Sequence, residues 1–121
     1  MACVMIFTYR AVYGRELTDN AQANVKSGMA SWYGAAYRGR KTASGERFDP
    51  RDLTAAHPSL PMGTLLEVSR RDLGRSVVVR VNDRGPGDGR ILDLSEAAAR
   101  RLDMIGAGSA LVTIQVIGSA Q

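Results

Sequence analysis

A mainly β chain closed into one small barrel is the architecture this sequence predicts, and three observations carry it. Period-two alternation of apolar residues recurs along the chain, most plainly at Val77, Val79 and Val81, and each stretch ends in glycine, proline or aspartate. Glycine is abundant, 13 among 121 residues, while aromatic residues supply only 6%, which suits a turn-rich β fold better than a helical bundle. The strand patterns also follow one another without the alternating helices of a βαβ layout, so a sheet closed on itself is the natural way to remove its edges. At this length, with 45% hydrophobic residues, there is material for one packed domain rather than two.

The elements follow in order. Residues 1–27 stand apart as a peripheral leader or linker. The apolar run at residues 2–7 is short and has no basic stretch ahead of it, so it makes a poor signal peptide, and residues 16–27 are polar and patternless. The folded domain is expected over residues 28–118. Residues 28–34 read as a first strand closed by Gly34. Residues 37–48 form a long loop of glycines and small polar residues carrying Glu46, and loops of that length in a compact domain commonly carry function. Asp49 and Pro50 set up a single helical turn, as N-cap and first position.

Residues 53–57 are a short strand ending in His57. Residues 58–61 turn the chain, and residues 63–69 form another strand. After a turn at residues 70–74, the central strand runs from Ser76 to Asp83 and is broken by the glycines of residues 85–89. The chain re-enters as a short strand at residues 91–93. Ser95 then caps a short α-helix over about residues 95–104 that ends at Gly106, with Leu94, Ala98 and Leu102 spaced to face the core. Residues 109–117 are the last strand. The total is six strands and one helix, with Val77, Val79, Val81, Val112, Ile114 and Val116 expected to be buried.

The formal net charge of +4 suits anionic partners such as nucleic acid, a membrane surface or a bacterial wall polymer. Arg38, Arg40, Lys41, Arg70, Arg71, Arg75, Arg80, Arg84 and Arg90 are scattered rather than clustered, so no nucleic-acid partner is expected. Cys3 is the only cysteine and His57 the only histidine. Neither a disulfide nor a cysteine- or histidine-based metal site is expected, and without a phosphate-cradling glycine motif no organic cofactor is expected either. No apolar run approaches the ~20 residues of a membrane span.

Two carboxylates stand out on this framework. Asp83 is the next residue on the face of Val77, Val79 and Val81, and Asp93 shares its face with Ile91. A carboxyl group placed among apolar neighbours holds its proton to higher pH, which general acid catalysis near neutrality needs. The alternatives are local: Asp83 accepting hydrogen bonds from its own turn, and Asp93 interacting with the start of the helix.

Five pieces in order also resemble the rare lipoprotein A family: ASWYG at residues 30–34, RKTASGERFD at 40–49, LTAAHPSLPMGT at 53–64, VVVRVNDRGP at 77–86 and ILDLSEAAARRL at 91–102. The last is also similar to a segment of the expansins. The resemblance covers about residues 28–117. It implies a six-stranded double-psi β-barrel with a groove across its mouth. It further implies a lytic transglycosylase acting on peptidoglycan glycan strands in the cell envelope or periplasm; a monomer is expected. Such an enzyme cuts the β-1,4 bond between N-acetylmuramic acid and N-acetylglucosamine and leaves a 1,6-anhydro end.

Carried onto this sequence, the catalytic residues are Asp93, Glu46, His57 and Asp83. Asp93 is the first choice of acid. Glu46 is the second, on a loop able to carry its carboxylate onto bound glycan, with pairing to a nearby arginine as its alternative, and His57 orients the substrate or assists proton transfer, with a purely structural histidine as its alternative. Tyr33, Lys41, Thr42, Asn82 and Arg84 are the expected substrate contacts. Trp32 and Tyr33 fall on opposite sides of a strand, so one is expected on sugar and the other in the core. A non-catalytic, expansin-like wall-binding module is the alternative.

Three departures bear on these expectations. Cys3 follows only Met1 and Ala2, which is no lipidation signal. The glycan-binding repeat domain that ends many members does not follow the barrel, so targeting by that route is not expected. The loop at Gly87 and Asp88 is short and lacks an aromatic residue, which leaves substrate contacts on that side unsupported.

Overall fold

In the computed structural model, which describes residues 25–120, strand β4 (Arg75–Asp83) turns the valine alternation into a wall. Val77, Val79 and Val81 are 6%, 1% and 0% exposed, whereas Val78 between them is 42% exposed. Burying each such side chain contributes roughly 1.5–3 kcal/mol. The other strands are β1 (Val25–Tyr33), β2 (Thr54–Ala56), β3 (Thr64–Arg70), β5 (Leu92–Ser95) and β6 (Ser109–Ser119), with one helix, α1 (Glu96–Arg101). They close into a barrel in the order β1-β5-β2-β4-β3-β6. The β1–β5 and β2–β4 pairs are parallel and the rest antiparallel. The core inside is aliphatic, built on Leu66, Val68, Leu92, Leu94, Val112 and Ile114 with Ala30 and Ala55.

Several boundaries differ from those expected. Val25, Lys26 and Ser27, expected in the linker, open β1 and pair with Gln115, Ile114 and Thr113 of β6. The remainder of that segment, residues 1–24, lies outside the described residues. Gly28, expected to start the strand, lies where a side chain cannot fit. A Cβ there would come within 2.6 Å of the Ile91 side chain, whose backbone N–H donates to Met29 O.

Val116 is not in the core but 39% exposed. A bulge opposite Leu65 and Leu66 shifts the β3–β6 register so that Val116 pairs with Leu66 and Gly118 with Leu65. The last residues of β6 run past the end of the core.

The helix begins as expected. Ser95 Oγ accepts the N–H of Ala98, and Leu94, Ala98 and Leu102 are fully buried. It stops at Arg101, short of Gly106, because Asp103 takes the left-handed conformation at φ 52. Met104 N–H then donates to Ala99 O and Asp103 N–H to Arg100 O, a C-terminal motif more often built on glycine. The single helical turn expected at Asp49 is one hydrogen-bonded turn, Asp52 N–H to Asp49 O.

Candidate active site

The site grows from one row of backbone pairing. Ser31 of β1 pairs with Asp93 of β5, Asp93 with Ala56 of β2, and Ala56 with Asp83 of β4. Paired residues put their side chains on the same side of a sheet, so the two aspartates flank one alanine across three strands. The row one step along, Trp32, Leu94, Ala55 and Val81, supplies the core with Leu94, Ala55 and Val81. Alternation thus places apolar residues inward and the acids on the other face.

Asp83 terminates β4 beside a bulge. Ala55 pairs with Val81 but Ala56 with Asp83, so Asn82 is an extra residue and the strict alternation lapses there. Asp83 Oδ1 accepts the backbone N–H groups of Ala43 at 3.0 Å and Arg84 at 2.9 Å. Its Oδ2 makes no hydrogen bond with the described residues. Asp83 also lines a cleft of about 460 Å³ with Tyr33, Tyr37, Arg40, Lys41, Thr42 and Phe48. Tyr33 stacks at a tilt on Phe48, centroids 4.6 Å apart, and meets Tyr37 edge-on at 5.7 Å. Burial, then the charges of Asp83 and Asp93, push the Tyr33 phenol well above its ordinary range, so it stays neutral. Trp32 packs against the core instead.

His57 follows β2, and its backbone N–H donates to Asp83 O at 3.1 Å. Its Nδ1 accepts two backbone N–H groups, from Ser59 at 3.1 Å and Leu60 at 3.0 Å. Nδ1 therefore carries no proton, and the neutral ring holds its hydrogen on Nε2. Burial, with the positive charges of Arg84 and Lys26, lowers the imidazole below its usual range. Arg84 secures the same turn by donating to Leu60 O at 2.7 Å and His57 O at 3.3 Å.

The loop carrying Glu46 is pinned to the end of β4 rather than free to swing. Thr42 N–H donates to Glu46 O at 2.8 Å, Ser44 N–H to Asn82 O at 3.1 Å, and Ala43 N–H to Asp83 as above. Gly45, at φ +95, turns the chain where a side chain would be strained. Thr42 Oγ1 donates to Glu46 O at 2.7 Å. The Glu46 carboxylate takes Arg80 at 2.6 and 3.3 Å and Asn82 Nδ2 at 2.9 Å. The Arg80 hydrogen bond is the main reason its carboxyl lies below the ordinary glutamate range, with Asn82 adding to it.

Asp93 lacks the apolar surroundings expected of it. Its Oδ1 accepts from Ser31 Oγ at 2.5 Å and Arg90 Nη1 at 2.7 Å, and Arg90 also bonds Ser31 Oγ and Asp88. Its face partner Ile91 packs against the core cluster while the carboxylate turns to the arginine.

Of the expected substrate contacts, Tyr33, Lys41 and Thr42 line the cleft. Asn82, Arg84 and the Thr42 hydroxyl are engaged within the chain, holding Glu46 and the His57 turn. Sequence reasoning did not single out Arg80, Arg90 or Ser31 as partners of the acids, nor Tyr37, Arg40 and Phe48 as cleft walls. Arg80 lies two residues before Asn82 on the same strand and Arg90 three residues before Asp93, the local signals that could have found them. Among the described residues no cluster of three or more His, Cys, Asp or Glu side chains is arranged to hold a metal, and no helix is long and apolar enough to cross a membrane.

The endolytic peptidoglycan transglycosylase RlpA of Campylobacter jejuni is 50% identical over 99 residues, which cover 81% of this chain and 36% of that protein. The protein of the same name from Vibrio cholerae is 50% identical over 102 residues, covering 84% of this chain and 39% of that one. A probable RlpA of Nostoc sp. is 57% identical over 94 residues, covering 75% and 25%. The chain thus spans well under half the length of these relatives.

Among solved structures, a Streptomyces papain inhibitor superposes with a TM-score of 0.64 at 26% identity, covering 78% of this chain and 94% of the inhibitor. The apo expansin of Clavibacter michiganensis gives 0.63 at 26% identity, covering 80% and 52%. The family model described as lytic transglycolase matches residues 25–114, from the first residue of β1 into β6. Barrel, motifs and relatives agree, and this chain belongs to the lytic transglycolase family of double-psi β-barrels, alongside the RlpA proteins.

Proposed function

We propose that this domain is a peptidoglycan lytic transglycosylase in which Asp83, rather than Asp93, moves the proton. One observation carries the reading. Asp83 lies in the wall of an aromatic-lined cleft, with Oδ1 fixed by two backbone N–H groups and Oδ2 unengaged among the described residues. Asp93 and Glu46 are both committed to arginines.

The protonated Asp83 carboxyl gives its proton to the glycosidic oxygen as the bond from the muramic acid C1 breaks. The 6-hydroxyl of the same sugar closes onto C1, forming the 1,6-anhydro ring, and its proton returns to Asp83, so the enzyme ends as it began. The Glu46 carboxylate, kept ionised by Arg80, faces the positive charge that develops on the sugar ring. His57, with its hydrogen on Nε2, donates to a substrate oxygen and orients it. Tyr33, Tyr37 and Phe48 offer flat faces to sugar, and Lys41 and Arg40 offer charge to its carboxylates. Murein glycan strands in the cell envelope are the substrate, the domain acts as a monomer, and the chemistry needs no cofactor.

The test is digestion of purified murein sacculi, with products read by mass spectrometry. Wild type should release 1,6-anhydro-muramic ends and Asp83→Asn should not. Equal yields from the two would defeat the assignment. The likeness to an expansin favours a second reading, glycan binding without cleavage. Binding to sacculi with no anhydro product from wild-type protein would select it.

A further inference from the structure

Arg80 and Asn82, beside and at the bulge of β4, both reach the Glu46 carboxylate. Arg80 reaches Glu46 with two nitrogens, at 2.6 Å to Oε1 and 3.3 Å to Oε2. Its side chain is 32% exposed and that of Glu46 38%, so water reaches the pair only in part. Asn82 is 2% exposed, and its Nδ2 donates to the same Oε1 at 2.9 Å. Its Oδ1 is buried and has no hydrogen-bond partner among the described residues. A buried amide that leaves one end unpaired costs stability, so it is a poor choice for holding a strand together. The bulge that places it adds a residue to β4 opposite β2, and bulges concentrate beside active sites, where they re-aim a side chain. Both features make sense if the target is the Glu46 carboxylate.

We infer that Arg80 and Asn82 are positioning residues that fix Glu46 as an oriented anion beside the breaking glycosidic bond, Arg80 by a two-point clamp and Asn82 by locking one oxygen. This rests on the reading of Glu46 as the charge that stabilises the sugar cation. Neither residue touches substrate. Each acts by removing the rotamers of Glu46 that turn its charge away. A planar guanidinium suits the task, since lysine supplies the charge without the fork.

The experiment measures turnover of murein sacculi by the purified chain across pH, for Arg80→Gln, Arg80→Lys, Asn82→Ala, Glu46→Gln and the Arg80→Gln/Glu46→Gln double variant, with thermal unfolding of each as control. Arg80→Gln should lower kcat by roughly 10–100-fold, the range for outer partners that orient a first-contact group, with KM little changed. The acidic limb of its pH profile should move to higher pH, because Glu46 without its counter-charge protonates sooner as pH falls. Arg80→Lys should restore the limb and only part of kcat. Asn82→Ala should lower kcat and move the limb in the same direction, by less than Arg80→Gln does. Arg80→Gln should add nothing in the Glu46→Gln background.

A folded Arg80→Gln variant with wild-type kcat and pH profile, beside an inactive Glu46→Gln, overturns the inference and leaves the reading of the site standing. A fully active Glu46→Gln overturns that reading itself. Additive losses in the double variant would show that Arg80 acts independently of Glu46 and would also overturn the inference.

Discussion

Asp83 and Asp93 begin alike and end differently. Each extends an alternating strand pattern and each is a register partner of Ala56. Yet Asp93 is bound by Arg90 and Ser31 through one oxygen, whereas Asp83 accepts only backbone N–H groups and borders the cleft. The lesson is that an acid's role depends on what the fold brings to its two oxygens. Each keeps Oδ2 without a hydrogen bond among the described residues, but Asp93 is ion-paired to Arg90 and joins β5 to β1 through Ser31, whereas Asp83 is held by backbone alone.

The largest expected effect tests this contrast directly. Asp83→Asn keeps the shape and the acceptor for Ala43 and Arg84, and turnover of sacculi should fall by ~10²–10⁴-fold. Asp93→Asn should fall by less than about 10-fold, an indirect effect of loosening β5. Equal losses would erase the distinction, and a larger loss in Asp93→Asn would reverse it.

Next in size is the core that carries both acids. Val79, 1% exposed, lies in the buried wall of β4, the strand that ends in Asp83, and Val79→Ala should cost about 1–3 kcal/mol in denaturant unfolding. The ratio of the two aspartate variants' turnover should survive that loss. A changed ratio would mean that packing, rather than local partners, separates the acids.

Smaller again is the stability of the two aspartate variants. Asp93→Asn weakens a partly exposed ion pair and should cost about 1 kcal/mol, while Asp83→Asn should be near neutral. Denaturant midpoints of the two variants compare them, and a costlier Asp83→Asn would identify Asp83 as the structural one.

The smallest effect is a titration. The His57 imidazole lies below its usual range in the fold, so its contribution to stability is present above pH ~6.5 and is lost as pH falls through the lowered folded value. Protonation must also displace the Ser59 and Leu60 N–H groups from Nδ1. Their amide resonances should therefore titrate together with a midpoint below 6.5, while Asp93 and Ser31 amides stay still. A midpoint above 6.5 would contradict the packing of His57.

Much of this was legible in the chain itself, because it depends on local periodicity and covalent geometry. The valines of β4, the Ser95 cap, the six strands and the single helix follow from alternation, capping chemistry and glycine placement. The stop at Asp103 was not, since a left-handed aspartate has no pattern that sets it apart from a helical one. Nor was the exposure of Val116, because a bulge is a property of two paired strands and alternation along one of them does not reveal it.

For the site, sequence and resemblance supplied the residues, and the barrel decided how they are used. Glu46 looked mobile because its loop is rich in glycine and small polar residues, but hydrogen bonds to Asn82 and Asp83 pin it. Asp93 looked buried because Ile91 is apolar, yet Arg90 lies across its carboxylate. The guanidinium of Arg80 meets a carboxylate 34 positions away in the chain. Which cation reaches which acid is fixed by strand order and register, long-range quantities that composition and spacing along a single chain do not encode.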